Sequence, residues 1–142
     1  KTTNAGGASA FSSSAIGQVL LGPDVRLNGE AGPLTVTVGS RLVVTMSMNS
    51  AQYAGYPVDW WAAASTPFGL YYLNAGLVWT PASALSALQP VLQGGLFDMQ
   101  AVVLDTTGLL PGTYTFYFGV DTLNGILDPD VVYDSATVTV AP

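Results

Sequence analysis

The sequence predicts an all-β fold in the form of an antiparallel β-sandwich. Apolar and polar residues alternate with the period of two that is typical of half-buried strands. Gly and Pro residues separate the alternating runs, and no long segment has the helical period of about 3.6 residues. The 142 residues amount to about one domain, which is long enough to bury a single core.

The alternating runs follow one another along the chain and are separated by turn signals such as Gly32-Pro33, Gly94-Gly95 and Pro111-Gly112. We expect at least seven strands from the eight runs at residues 34–38, 41–49, 58–64, 70–73, 77–79, 96–104, 113–120 and 131–140. Only residues 82–92 have a helical composition, and Pro90 limits a helix there to one or two turns.

Two local features predict an immunoglobulin-like topology for this sandwich. Trp60 and Trp61 lie on the third predicted strand, where immunoglobulin-like domains bury a Trp. Tyr114 follows the Pro111-Gly112 turn and begins the penultimate strand, so we expect its hydroxyl to return to the upstream backbone as a tyrosine corner. The alternative is that these residues are ordinary core aromatics of another β fold.

Residues 1–22 are predicted as an N-terminal arm that precedes a sandwich of residues 23–142. Residues 8–21 alternate as a strand does, but they are small and polar, and Gly6-Gly7 and Gly22-Pro23 flank them. This segment is either the first strand of the sandwich or a donor strand for another subunit. In the second case, residues on one face form the subunit interface, namely Phe11, Ala15, Gly17, Val19 and Leu21.

Composition excludes several classes of function. Three Lys and Arg residues against nine Asp and Glu residues give a net charge of −6, which cannot neutralise a nucleic-acid backbone. The absence of His and Cys excludes Ser-His-Asp and Cys-His catalysis, the usual zinc and haem sites, iron–sulfur clusters and disulfides. A glycosidase with paired carboxylates would need a deep cleft, so we expect a protein that is not an enzyme. No apolar run reaches the length of about 18 residues that a membrane-spanning segment needs.

A short acidic stretch is the best candidate for a metal site. Ca²⁺ takes several oxygen ligands from one flexible loop, and this stretch carries them on neighbouring side chains. These residues are Asp121, Asn124, Asp128, Asp130 and Asp134. The alternative is a hairpin turn, because Asn124-Gly125 is a strong type I′ signal and Asp is common in turns. No other cofactor is expected.

Aromatic residues cluster in the middle of the chain, where an exposed row of them would stack on sugar rings. Adjacent side chains on a strand point to opposite faces. One residue of the Trp60-Trp61 pair and one of the Tyr71-Tyr72 pair must therefore face away from the core. The candidates for exposure are Tyr53, Tyr56, Trp61 and Tyr72. The alternative is that at least half of the aromatic cluster belongs to the core.

Several runs of the sequence resemble a known family. They are Val-Asp-Trp-Trp-Ala-Ala at residues 58–63, Thr-Pro-Phe-Gly at 66–69, Gly-Gly-Leu-Phe-Asp at 94–98, and the block at 108–140. Over roughly residues 34–140, the chain resembles an uncharacterised immunoglobulin-like domain. That domain recurs, often at the C-terminus, in exported and surface proteins of Geobacter- and Desulfuromonas-like bacteria. The resemblance implies a β-sandwich, an extracellular location and no catalytic activity. The loop of that family resembles D-x-N-x-N-G, whereas residues 121–125 here are one residue shorter and lack a middle ligand.

Together these observations predict a structural subunit of an extracellular filament or surface assembly. In this pilus-like homopolymer, the N-terminal arm of one subunit adds a strand to its neighbour. Such a protein would be secreted with removal of a signal peptide, and its partners would be copies of itself. The alternative is a secreted or cell-surface binding or adhesion module that uses exposed aromatics to bind carbohydrate or another surface ligand.

Overall fold

The computed structural model describes residues 22–142, which form ten strands in two packed sheets. The strands are β1 (Gly22–Leu27), β2 (Leu34–Thr37), β3 (Leu42–Asn49), β4 (Pro57–Thr66), β5 (Gly69–Leu73), β6 (Trp79–Ala82), β7 (Leu92–Gly95), β8 (Met99–Thr106), β9 (Gly112–Thr122) and β10 (Val132–Ala141). Two short 3-10 helices, Ala51–Tyr53 and Leu85–Ala87, join them, and no helix in this part of the chain is long and apolar enough to cross a membrane. The predicted immunoglobulin-like β-sandwich is confirmed.

The two sheets differ in width. One has three strands in the order β1-β3-β8, and the other has seven, in the order β2-β10-β9-β4-β5-β6 with β7 also beside β4. The strand pairs are antiparallel except β2 with β10, which are parallel and make the wider sheet mixed. The chain leaves the narrow sheet after β1 through a turn at Asn28-Gly29, where φ is 51° and 82°.

The core lies between the two sheets because the strands bury alternate residues. β3 and β10 alternate buried and half-buried residues along almost their whole length. Trp60 is in this core and packs against Phe118, with ring centroids 6.1 Å apart. The Tyr114 hydroxyl donates to the Leu110 carbonyl at 2.8 Å. The buried Trp and the tyrosine corner predicted from the sequence are therefore both present.

Two segments differ from the elements predicted from the sequence. Gly22 and Pro23, predicted as a break before the sandwich, are the first residues of β1 and pair with the end of β3. Pro23 is tolerated there because β1 lies at a sheet edge, where the N–H that Pro lacks is not needed to pair with a further strand. β7 had no predicted counterpart. Residues 82–92, which were expected to hold at most one or two helical turns, contain the single 3-10 turn Leu85–Ala87.

Candidate functional site

The narrow sheet ends in a strand with one open edge. β8 pairs with β3 through Leu42–Met48, and no other strand within residues 22–142 pairs with β8. Its one charged side chain, Asp105, accepts two hydrogen bonds from the Arg41 guanidinium at 2.9 and 2.8 Å. β8 has eight residues and contains no Lys or Pro. A long, weakly charged open edge of this kind is a template for pairing with another strand.

An apolar groove of about 320 Å³ lies beside β8, where the wide sheet extends past the narrow one. Residues from β4, β5, β6, β8, β9 and their connections line it, among them Phe68, Tyr71, Trp79, Leu109 and Phe116, with Leu104 as the one residue from β8. None of the lining residues is charged. The open edge and the apolar groove are thus adjacent parts of one surface, which we call the β8 groove.

Trp79 lines the β8 groove and bridges the two sheets beside it. Its indole N–H donates to the Val103 carbonyl at 2.9 Å, which links β6 in the wide sheet to β8 in the narrow one. Val103 is the extra residue of a β-bulge, because Val102 pairs with Thr45 while Leu104 pairs with Val44. The Trp79 ring also meets Phe116 edge-on, with centroids 6.1 Å apart. Trp79 therefore joins the two sheets at the point where the β8 bulge meets the groove.

A second site, which is polar, lies on the outer face of the wide sheet, where two buried Asp residues are paired across neighbouring strands. Asp59 on β4 is paired with Asp121 on β9, and both side chains are fully buried. One oxygen of Asp59 accepts from the Gln93 amide at 2.7 Å, and the other accepts the backbone N–H groups of Asn124 and Gly125 at 3.1 and 2.6 Å. Asp59 thereby holds the start of the β9–β10 connection against the sheet.

Asp121 holds the same connection from the neighbouring strand. Its Oδ1 accepts the Trp61 indole N–H at 2.8 Å, and its Oδ2 accepts the Asp128 backbone N–H at 2.7 Å. Burial raises the pKa of Asp121 from 3.8 to about 6. The two hydrogen bonds oppose this shift because they stabilise the ionised form, whereas the charges of Asp128 and Asp59 add to it. Asp121 therefore titrates just below neutral pH.

The predicted metal ligands are only partly brought together. Asn124 and Asp128 lie on the β9–β10 connection next to Asp121 of β9, and the Asn124 amide donates to Asp128 Oδ2 at 2.9 Å. Asp130 lies further along that connection and is half-buried. Asp134 is buried on β10, and its Oδ2 accepts the Val25 backbone N–H of β1 at 2.9 Å.

The buried carboxylate oxygens next to this connection are better suited to accept N–H groups than to bind a cation. Both oxygens of Asp59 and both oxygens of Asp121 accept hydrogen bonds from the protein itself. Among residues 22–142, no three His, Cys, Asp or Glu side chains are grouped as metal ligands. The Ca²⁺ expectation stays a prediction.

Sequence reasoning missed Asp59 as a site residue. The signal was there, because an Asp between Val58 and Trp60 in an apolar run needs buried hydrogen-bond partners.

The aromatic residues expected at the surface divide into two groups. Tyr53 and Trp61 are only 4% and 5% exposed, so the expectation that they are exposed is not met. Tyr53 belongs to the main core, and Trp61 faces outward as predicted but is covered by Leu88 and by the β9–β10 connection. Tyr56 is 43% exposed and Tyr72 is half-buried. These two do not form the row of four rings that the sequence suggested.

The predicted donor-strand residues lie outside the described part of the chain. These are Phe11, Ala15, Gly17, Val19 and Leu21, together with the rest of the arm up to residue 21. The described chain begins at Gly22, which pairs with Asn49 at the end of the narrow sheet where β8 begins. The arm therefore joins the sandwich at that end.

No protein-family model matches this chain, and no curated protein matches it in sequence. Among solved structures, the chain is similar to the crystal structure of a CARDB domain from Pyrococcus furiosus in complex with di-metal ions. The TM-score is 0.44 and the sequence identity is 11%, over 90% of this chain and 98% of that one. The resemblance to the bacterial surface-protein domain stays a prediction.

Proposed function

We propose that this protein is a structural subunit of an extracellular filament or surface assembly, in which the N-terminal arm of one copy adds a strand to the next. The observation that carries the proposal is the open edge of β8, which has eight residues, no Lys and no Pro, beside an uncharged apolar groove. Natural proteins protect such edges with charge, Pro, bulges or a covering element. β8 has the bulge at Val103 and the paired charge of Asp105, but no strand of residues 22–142 covers its outer side. A strand from a neighbouring copy supplies that cover and builds the assembly at once.

The contact proposed here joins two different surfaces, the arm of one copy and a sheet edge of another. A head-to-tail contact of this type does not have to close on itself, so it propagates into a polymer. The composition suits this role, because charged residues make up only 8% of the chain. We further propose that the protein acts outside the cell, is not an enzyme and has copies of itself as its partners.

Carbohydrate adhesion is the weaker alternative. It would need a platform of exposed rings, and two of the four expected rings are buried. The buried carboxyl pair does not favour an enzyme either, because Asp59 and Asp121 are fully buried and their oxygens accept N–H groups of the fold. Strand addition is therefore the function that the geometry favours.

Assembly of the full-length chain tests the proposal. The native protein is compared with the full-length variant Phe11→Asp/Val19→Asp by sedimentation and by negative-stain electron microscopy. We expect polymers from the native chain and monomers from the variant, because two carboxylates on one face of the arm would have to be buried on pairing. The variant should still unfold cooperatively as a monomer, since both changes lie outside the core formed by residues 22–142.

A matched control separates strand addition from the effect of added charge. The variant Thr2→Asp/Thr3→Asp carries the same charge change but places it before residues 8–21. We expect this control to polymerise as the native chain does. A native chain that stays monomeric at all concentrations, or polymers that survive Phe11→Asp/Val19→Asp, would show that the proposal is wrong.

A further inference from the structure

We propose that the acceptor site for the added strand is the β8 groove, and that its occupant is the segment of residues 8–21 from a second copy of this chain. This inference rests on the proposed function and specifies the surface that the arm recognises. In the assembled state, the donor would pair with the outer edge of β8 and become a fourth strand of the narrow sheet. Side chains from one face of the donor would enter the groove.

The other sheet edges are less suitable acceptors. On β1, the Val25 N–H is already bound by the Asp134 carboxylate, and that edge packs against β10. β2 and β6 have only four residues each, and β6 contains Pro81, which has no N–H to donate. β7 also has four residues and ends in Gly94-Gly95. Among the sheet-edge strands of residues 22–142, β8 is the longest, and no strand pairs with its outer side, where the Val103 carbonyl accepts from Trp79.

The chemistry of the arm matches that of the groove. Residues 2–23 contain no charged side chain, and neither does the groove lining. The face of the arm that carries Phe11, Val19 and Leu21 also carries Ala15 and Gly17, which would let the donor backbone approach closely. A groove of about 320 Å³ is roughly twice the size of a cavity that holds one benzene, at about 150 Å³. It therefore has room for the Phe11 ring and an aliphatic side chain.

The length of the arm suits pairing between copies. At about 3.3 Å per residue, residues 8–21 extend over about 46 Å, and the eight residues of β8 need about 26 Å of this. About 20 Å then remains to connect the donor to Gly22 of its own sandwich. Gly22 lies at the end of its sheet, so the arm starts at the boundary of the sandwich.

Cysteine pairs in the full-length chain test the acceptor directly, because the native chain has no Cys. One cysteine is placed on the β8 edge by Ala101→Cys, and a second replaces each of residues 10–17 in turn. A disulfide forms only where the Cα atoms lie about 4.4–6.8 Å apart, so the scan locates the register. We expect covalent ladders on a non-reducing gel at some donor positions, and none when Thr35→Cys on β2 replaces Ala101→Cys.

The outcomes of this scan separate the acceptor from the proposed function. Ladders with Thr35→Cys but not with Ala101→Cys would mean that strand addition occurs at another edge, which overturns this inference and keeps the function. Polymers that form without any disulfide ladder would also overturn this inference and keep the proposed function. A disulfide within a single chain would show that the arm pairs with its own subunit, which overturns both. A chain that forms neither polymer nor ladder also overturns both.

An edge variant provides a second test that does not depend on disulfide chemistry. Val102 on β8 is 59% exposed, and Val102→Lys introduces the kind of charge that protects natural edge strands. Ile126→Lys is the matched control, because Ile126 is 65% exposed on the distant β9–β10 connection. We expect Val102→Lys to lose polymers and to stay folded, while Ile126→Lys retains them. Equal assembly of the two variants would overturn the assignment of β8.

Discussion

The buried carboxyl group of Asp121 makes the fold sensitive to pH in an unusual direction. Its pKa is raised to about 6 in the folded chain, from an ordinary value of 3.8. Between these values the folded state binds more protons than the unfolded state, so the free energy of unfolding falls as the pH rises. Below the ordinary pKa both states are protonated, and above the folded pKa both are ionised. The effect is therefore confined to the range from about pH 4 to about pH 6.

The size of this effect follows from the shift. Each pKa unit corresponds to about 1.4 kcal/mol, so a rise of about two units costs the fold about 3 kcal/mol by pH 7. Asp98 and Asp105 work in the opposite direction. Hydrogen bonds from Ser50 and Arg41 lower their pKa values, so their contribution to stability is lost as the pH falls below the ordinary range. Their contribution cancels when the stability of the native chain is compared with that of a variant that changes only Asp121.

The variant Asp121→Asn removes the titrating group and keeps its shape. Urea unfolding of both chains, followed by tryptophan fluorescence under conditions where both are monomeric, gives the free energy of unfolding from about pH 4 to about pH 7. We expect the native chain to lose about 2–3 kcal/mol relative to the variant over this range. A difference between the two chains that does not change with pH would refute the reasoning.

Three further predictions concern the fold and the acidic connection. Tyr114→Phe removes the 2.8 Å hydrogen bond to Leu110 and should lower the free energy of unfolding by about 1 kcal/mol in a urea titration. Gly119→Ala should cost about 3 kcal/mol or more, because a Cβ there would collide with the Val132 carbonyl oxygen and with Tyr133. Gly108→Ala is its control, because the nearest atom is 3.6 Å away, and equal melting temperatures for the two would contradict the packing. Adding Ca²⁺ or a chelator should leave the melting temperature unchanged, since the buried oxygens are occupied by N–H groups, and a rise with Ca²⁺ would restore the metal site.

The strands that could be predicted are those whose alternation reflects one buried face. The run at residues 131–140 became β10 (Val132–Ala141) with little change, because every second side chain of that strand meets the core. Tyr114 was also predictable, since a tyrosine corner is a local contact four residues long. β1 was missed because Gly22-Pro23 was interpreted as a break. The turn that does occur, at Asn28-Gly29, was the signal that would have placed a strand before it.

The candidate site was harder to predict because it depends on contacts between distant residues. Alternation correctly placed Trp61 on the outer face, but it does not reveal that Leu88 covers that face. The open edge of β8 follows from the strand order, which no local pattern specifies. The Trp79–Val103 bond likewise joins residues of opposite sheets. The arm was singled out from its alternation and its flanking Gly residues, whereas its acceptor required the three-dimensional arrangement.

An electron cryomicroscopy structure of the assembled native protein tests the central claim most directly. The account predicts a four-stranded narrow sheet, in which the fourth strand lies beside β8 and consists of residues 8–21 from the adjacent subunit. Density for Phe11 or another apolar side chain of the arm should fill the groove beside Trp79. An arm paired within its own subunit, or an assembly in which the edge of β8 remains open, would contradict the account.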